Sequence, residues 1–211
     1  MRIIRDIISP SKLIRILNSE AVGLPKEEFE YVLGCHAAPT FLGFKSANLI
    51  TFRRSRFYDF DAMLESYAPC FQCKGISMFR VSEKNGLTVV LFYRAEAIEA
   101  ELKRPEAQDI LRRYGYPLQG SLLGMLYHLR RRIESEKTFP HEIGLFLGYP
   151  PEDVEGFIRH KGKDYRCCGY WKVYSNEKDA RRLFGLYDDC SKHFCHELKC
   201  GREFSELLRA V

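Results

Sequence analysis

Apolar positions along the chain change their period several times, and each change marks an element. From Ser121 to about Glu136, Leu122, Met125, Leu126, Leu129 and Ile133 recur every three or four residues, the spacing of one face of an amphipathic helix. The Arg130-Arg131-Arg132 run then belongs to its solvated side. Two β-rich runs, GISMFRV and LTVVLFYR, are joined by SEKNG, and Asn85-Gly86 at the end of that connection predicts an antiparallel hairpin. The second run is apolar on both faces from Val89 to Tyr93, which requires cover on both sides.

Start and stop signals supply the other elements. Ser9 and Pro10 predict a helix to Leu17, and Pro25 opens a second through Leu33 that ends at Gly34. The segment AAPTFLGFKSANLITF reads as a loop, because of Pro39, Gly43 and Asn48, feeding a short strand. Helices are expected over about 59 to 69 ahead of Pro69, 95 to 103 and 105 to 114. FPHEIGLFLGYPPEDVEGFIRHKG reads as a short helix, a Gly148-Tyr149-Pro150 turn and a second helix whose first turn holds Glu152 and Asp153, where the dipole favours acids. A strand from Cys167 to Tyr174 follows, then a long helix capped by Ser175 or Asn176 and running to about Lys199.

The pattern predicts an α+β fold: a small, largely antiparallel sheet of three to four strands (48–53, 76–82, 87–93 and 167–174) covered by several helices. No repeat, low-complexity segment or linker divides the chain, so residues 1–211 are expected to form a single compact domain with a helical lead over 1–34.

The text FPHEIGLFLGYPPEDVEGFIRHKGKDYRCCGYWKVY resembles the central signature of an anaerobic bacterial family known by a domain-of-unknown-function label, the 3793 family. APTFLGFKSANLITF is similar to its amino-terminal motif, and Cys190, Cys195, Gly201 and the closing Leu-Leu-Arg-Ala-Val to its carboxy-terminal pattern. The resemblance spans roughly residues 35 to 211 and implies no activity. The longer amino-terminal lead and Cys70 and Cys73 depart from the usual family pattern.

Composition narrows the function classes. With 211 residues, 45% hydrophobic and 13% aromatic, the chain can bury a sizeable core. No stretch approaches the roughly 18 to 20 apolar residues of a membrane helix, and Arg5, Asp6 and Pro10 interrupt the start, so no membrane partner and a cytoplasmic location are expected. Eight cysteines in a chain of this kind read as reduced thiols, not as a disulfide framework. The net charge of +5, from 33 basic and 28 acidic residues of interspersed sign, gives weak support for a nucleic-acid partner.

Candidate chemistry is scattered. Thr40, Lys45 and Asn48 in one predicted loop, and His141, Glu142 and Tyr149 around another turn, are polar groups among glycine and proline that periodicity does not explain. If the two segments line one pocket, they could orient a small-molecule ligand. No cofactor is assigned, since neither GxGxxG nor GxxxxGK[ST] occurs. His141-Glu142 lacks the second histidine of a zinc helix, position 145 being Leu. The alternative is a thiol or metal accessory role for Cys190, His193, Cys195 and Cys200 on the last helix. There, however, Cys190 falls on the apolar stripe, and Cys190 and Cys195 diverge by about 140°, which argues against a bridge between them. Cys70-Phe-Gln-Cys73 has chelating or redox spacing but lacks a second pair, and Cys35-His36 lacks an orienting group. A third reading, not favoured, is a nucleic-acid surface built from Arg53, Arg54, Arg56, Lys172 and Tyr174.

Overall fold

The computed structural model describes residues 26–136 and 139–209. The helix expected before Leu17 lies outside them. In chain order the elements are α1 (Lys26–Phe41), β1 (Ala47–Arg53), a short 3-10 turn (Arg54–Arg56), α2 (Phe60–Ser66), α3 (Ala68–Gln72), β2 (Ser77–Lys84), β3 (Leu87–Tyr93), α4 (Ala95–Leu102), α5 (Pro105–Arg113), α6 (Leu122–Ser135), α7 (Ile143–Phe146), α8 (Pro151–His160), β4 (Cys167–Cys168), β5 (Lys172–Val173), α9 (Glu177–Lys199) and α10 (Phe204–Leu207). The fold is α+β, with a three-stranded antiparallel sheet in the order β1-β3-β2 and a separate two-stranded β4-β5 hairpin.

The β2-β3 hairpin turns on Asn85 (φ 55°) and Gly86 (φ 72°). Two consecutive positive φ angles make the mirror-image turn whose twist matches the strands it joins. β3 is the central strand and its sides point into two cores: Val89, Leu91 and Tyr93 into one, Val90 and Phe92 into the other. The register pairs Leu49 with Leu91 and Ile50 with Val90, so β1 alternates in step.

Three expectations are corrected. α1 does not end at Gly34 but runs on to Phe41. Gly34 is there for packing: a Cβ at this position would lie 2.7 Å from Cδ1 of Phe194 on α9. Pro39 is accommodated in the last turn, and the helix closes at Gly43 (φ 82°), which takes the left-handed conformation. The segment 167–174 is not a fourth strand of the sheet. Its alternation is real, with Trp171 and Val173 buried, but Gly169, Tyr170 and Trp171 bend the chain back to make a two-residue ladder on its own. A Cβ on Gly169 would collide with the Phe184 ring. Pro69, expected as a stop, instead opens α3 from its first turn.

α6 and α9 form as their patterns predict. The Ser121 hydroxyl accepts from Gly124 N at 3.2 Å, and Asn176 Oδ1 accepts from Asp179 N at 3.2 Å, satisfying amides that the first helical turn leaves open. α9 is long enough to serve both cores, with Ala180 and Tyr187 in the first and Cys190 and Phe194 in the second. No described helix is long and apolar enough to cross a membrane.

Candidate functional site

The two segments singled out in the sequence meet. Lys45, only 6% exposed, donates from Nζ to Leu147 O at 2.7 Å and to Ala47 O, and sits 5.2 Å from the centre of the Tyr149 ring. Gly148 (φ 72°) lies against Ser46, where a Cβ would come within 2.8 Å of the hydroxyl. The loop before β1 and the turn between α7 and α8 are thus pressed together. Their polar groups are engaged by protein partners. The Thr40 hydroxyl donates to Asn48 Oδ1 at 2.7 Å, and the Tyr149 hydroxyl donates to Tyr170 O at 3.2 Å. Burial pushes the Tyr149 phenol well above its ordinary range.

Glu142, 1% exposed, accepts from Arg132 Nε at 2.5 Å and from the Tyr116 hydroxyl at 3.1 Å. This buried ion pair ties α6 to the start of α7, and Arg132 also stacks over Tyr114 at 4.6 Å. A charge so deeply buried is tolerable only with partners of this kind. His141 lies edge-on to Phe157, with ring centres 4.8 Å apart. It lines a small cavity with Tyr149, Asp153, Trp171 and Lys172. At about 20 Å³, that space matches about one water molecule.

Asp153 is a group the sequence reading passed over. Read as an acid placed for the helix dipole, it is 2% exposed and accepts from Trp171 Nε1 (2.7 Å), Tyr174 N (2.7 Å) and Ser175 N (2.8 Å). It anchors the β4-β5 hairpin to α8. Arg94 was missed as well. Its buried guanidinium donates to the carbonyls of Thr40, Phe41, Lys74 and Arg209, gathering the ends of α1 and α3 and the C-terminal segment. Neither position carries a local signal, because their partners lie 18 to 115 residues away.

A roomier space opens elsewhere. Between α4, α5 and the loop leading into α6 there is a cavity of about 290 Å³. Leu102, Leu118, Leu122 and Met125 give it apolar walls, while Glu99, Lys103, Gln108 and Ser121 place polar groups around it. Glu99 and Lys103 face each other across one helical turn at 3.6 Å. The volume approaches the lower end of the range typical of small-molecule sites, and an apolar wall with few polar groups is their usual lining. Its polar residues fall on helix faces that periodicity assigns to solvent, so no local pattern marks it.

The last helix disperses its thiols and imidazoles. Cys190 is packed in the second core, His193 is exposed, Cys195 lies against Cys35, and Cys200 Sγ is 3.6 Å from His196 Nε2. Among the described residues no group of three His, Cys, Asp or Glu side chains could hold a metal. Cys70 and Cys73 sit at the end of α3, and burial together with the neighbouring Cys73 pushes the Cys70 thiol up, the opposite of what an activated CxxC requires. Of the basic set, Arg54 pairs with Asp61 and Glu83, Arg56 is buried against Glu28, and Lys172 donates to Gly162 O.

The model of a family described as a protein of unknown function, DUF3793, matches residues 33–208. The chain belongs to this family. The match covers the first core, the second apart from Phe29 and Val32, the Lys45-Leu147 junction, the Glu142 ion pair and the larger cavity. No curated protein and no solved structure matches the chain.

Proposed function

We propose that this protein binds a small amphipathic molecule in the cavity between α4, α5 and the start of α6. The observation that carries the reading is the cavity itself: about 290 Å³ of space, apolar on one side and bordered by Glu99, Lys103, Gln108 and Ser121 on the other. The junction of the Lys45 and His141 segments supports the fold beside it, with Lys45, Thr40, Asn48 and Glu142 engaged by protein partners. A cytoplasmic setting belongs to the same reading: the two cores of this chain are large enough to stand without a disulfide framework.

The test uses the full chain with anilinonaphthalene sulfonate, a probe with apolar rings and one charged group. Saturable binding of about one equivalent is expected, in line with one molecule in the preformed space between α4, α5 and α6. Leu118→Trp, which fills the space from its apolar wall, should abolish binding without changing the circular dichroism spectrum. Undiminished binding by Leu118→Trp, or no saturable binding by the wild type, would overturn the proposal.

A further inference from the structure

Two thiols meet across most of the chain. Cys35 on α1 and Cys195 on α9 are separated by 160 residues, yet their Sγ atoms are 2.7 Å apart. Their closeness follows from helix packing. Gly34 and Phe194, the residues just before each cysteine, are in contact where a Cβ on Gly34 would leave no room. Because a disulfide needs its sulfurs about 2.05 Å apart, less than about 1 Å of movement would close this one.

We propose that Cys35 and Cys195 form a reversible disulfide site that staples α1 to α9 under mild oxidation. The oxidant is of the hydroperoxide class. The Cys35 sulfur, as thiolate, attacks one oxygen of hydrogen peroxide; the O–O bond breaks, leaving a sulfenic acid and, after proton uptake, one water. The Cys195 sulfur then attacks the sulfenic sulfur, the S–S bond forms, the S–O bond breaks, and the departing hydroxide takes the Cys195 proton as a second water. In sum, two thiols and one hydrogen peroxide give one disulfide and two waters. A dithiol reductant reverses it by exchange, leaving as its own disulfide.

The surroundings divide the roles. Cys35 is half-buried and meets the oxidant first, whereas Cys195 is buried and placed to resolve. The hydrogen bond with Cys35, and after it burial, push the Cys195 thiol up. Lys199 lies over Tyr31 at 5.3 Å, and both groups bear on the Cys195 thiol. The other cysteines lack this arrangement: Cys190 is enclosed by the second core, and Cys73, Cys168 and Cys200 are exposed.

The full chain, treated with a few equivalents of hydrogen peroxide and digested without reductant, tests the proposal by mass spectrometry. The expected product is a Cys35–Cys195 linked peptide, two hydrogens lighter than its reduced parts, formed ahead of oxidation at Cys73, Cys168 and Cys200 and removed by dithiothreitol. Closing so long a loop constrains the unfolded chain, so the melting midpoint of the oxidised protein should rise by about 5 to 15 °C. Cys35→Ser and Cys195→Ser should each remove both the link and the rise. The wild type before and after dithiothreitol supplies the same comparison without any substitution. Oxidation confined to the exposed cysteines, or a link that appears only in urea-unfolded protein, would overturn the proposal.

Discussion

The two faces of the central sheet are built from different materials. Among the described residues, the face covered by α1, α2, α3 and the end of α9 buries eight phenylalanines, while the face covered by α4 to α8 buries two. On the first, Phe41 alone contacts Phe71, Phe92, Phe194 and Phe204 at centroid distances of 5.3 to 6.0 Å, a lattice of tilted and edge-on rings. The second is aliphatic and holds Glu142, Asp153 and the tyrosines Tyr93, Tyr116, Tyr149 and Tyr187. It also borders both cavities. The difference separates two jobs. Phenylalanine rings interlock with no polar atoms of their own to satisfy and make one face a dense clamp whose buried hydrogen bonds lie mainly at its edge, through Arg94, while the other spends hydrogen bonds inside its core to hold short helices and turns around open space.

The largest expected effect tests the ring lattice. Phe92→Ala should lower the unfolding free energy by about 3 to 5 kcal/mol, measured by urea titration, and should leave probe binding at the cavity in place. A cost under about 1 kcal/mol would mean that the rings are loosely packed. On the opposite face, Glu142→Ala should cost about 3 kcal/mol, because it leaves the Arg132 charge without its buried partner. Tyr116→Phe, which removes only the hydroxyl donor, should cost about 1 kcal/mol. Equal costs for the two would show that the ion pair is not the element holding α7.

Gly148→Val comes next, at about 1 to 3 kcal/mol, since it forces a β-branched residue into a positive φ against Ser46. An unchanged melting temperature would break the account of the junction. The smallest effect at neutral pH is alkaline. Burial pushes up the phenols of Tyr93, Tyr116 and Tyr149, and that of Tyr187 to about 12. A raised folded value means that the folded chain holds its protons more tightly than the unfolded one. That stability is fully present below about pH 10 and is lost as pH rises through the folded values. Near-ultraviolet signals should therefore report failure of the tyrosine-bearing face, which holds four of these groups against Tyr67 alone in the ring lattice.

What the sequence shows and hides follows from range. The Asn85-Gly86 hairpin, the α6 stripe and the Asn176 cap were legible because their causes lie within a few residues. The doubly apolar β3 announced its two covered faces correctly. Gly34 misled because a glycine that stops a helix and one that admits a neighbouring ring look alike until Phe194 arrives. The 167–174 segment misled because alternation survives in a bend. Of the candidate residues, Lys45 and the Gly148 turn could be paired in outline from their unexplained polarity. Cys35 with Cys195, Asp153 with Trp171, and the Glu99 to Ser121 cavity had no local mark, since each is made by segments that the fold alone brings together.

The pairing of the first described helix with the last long one also sets an order of events at the ribosome. Phe41, Phe71 and Phe92 are synthesised well before Phe194 and Phe204, which complete their enclosure. A nascent chain released as far as the β4-β5 hairpin carries its most adhesive surface bare and cannot cover it locally. Such a chain is prone to association until α9 emerges, so truncation ahead of Asn176 should turn a well-behaved product into an insoluble one or a client for chaperones.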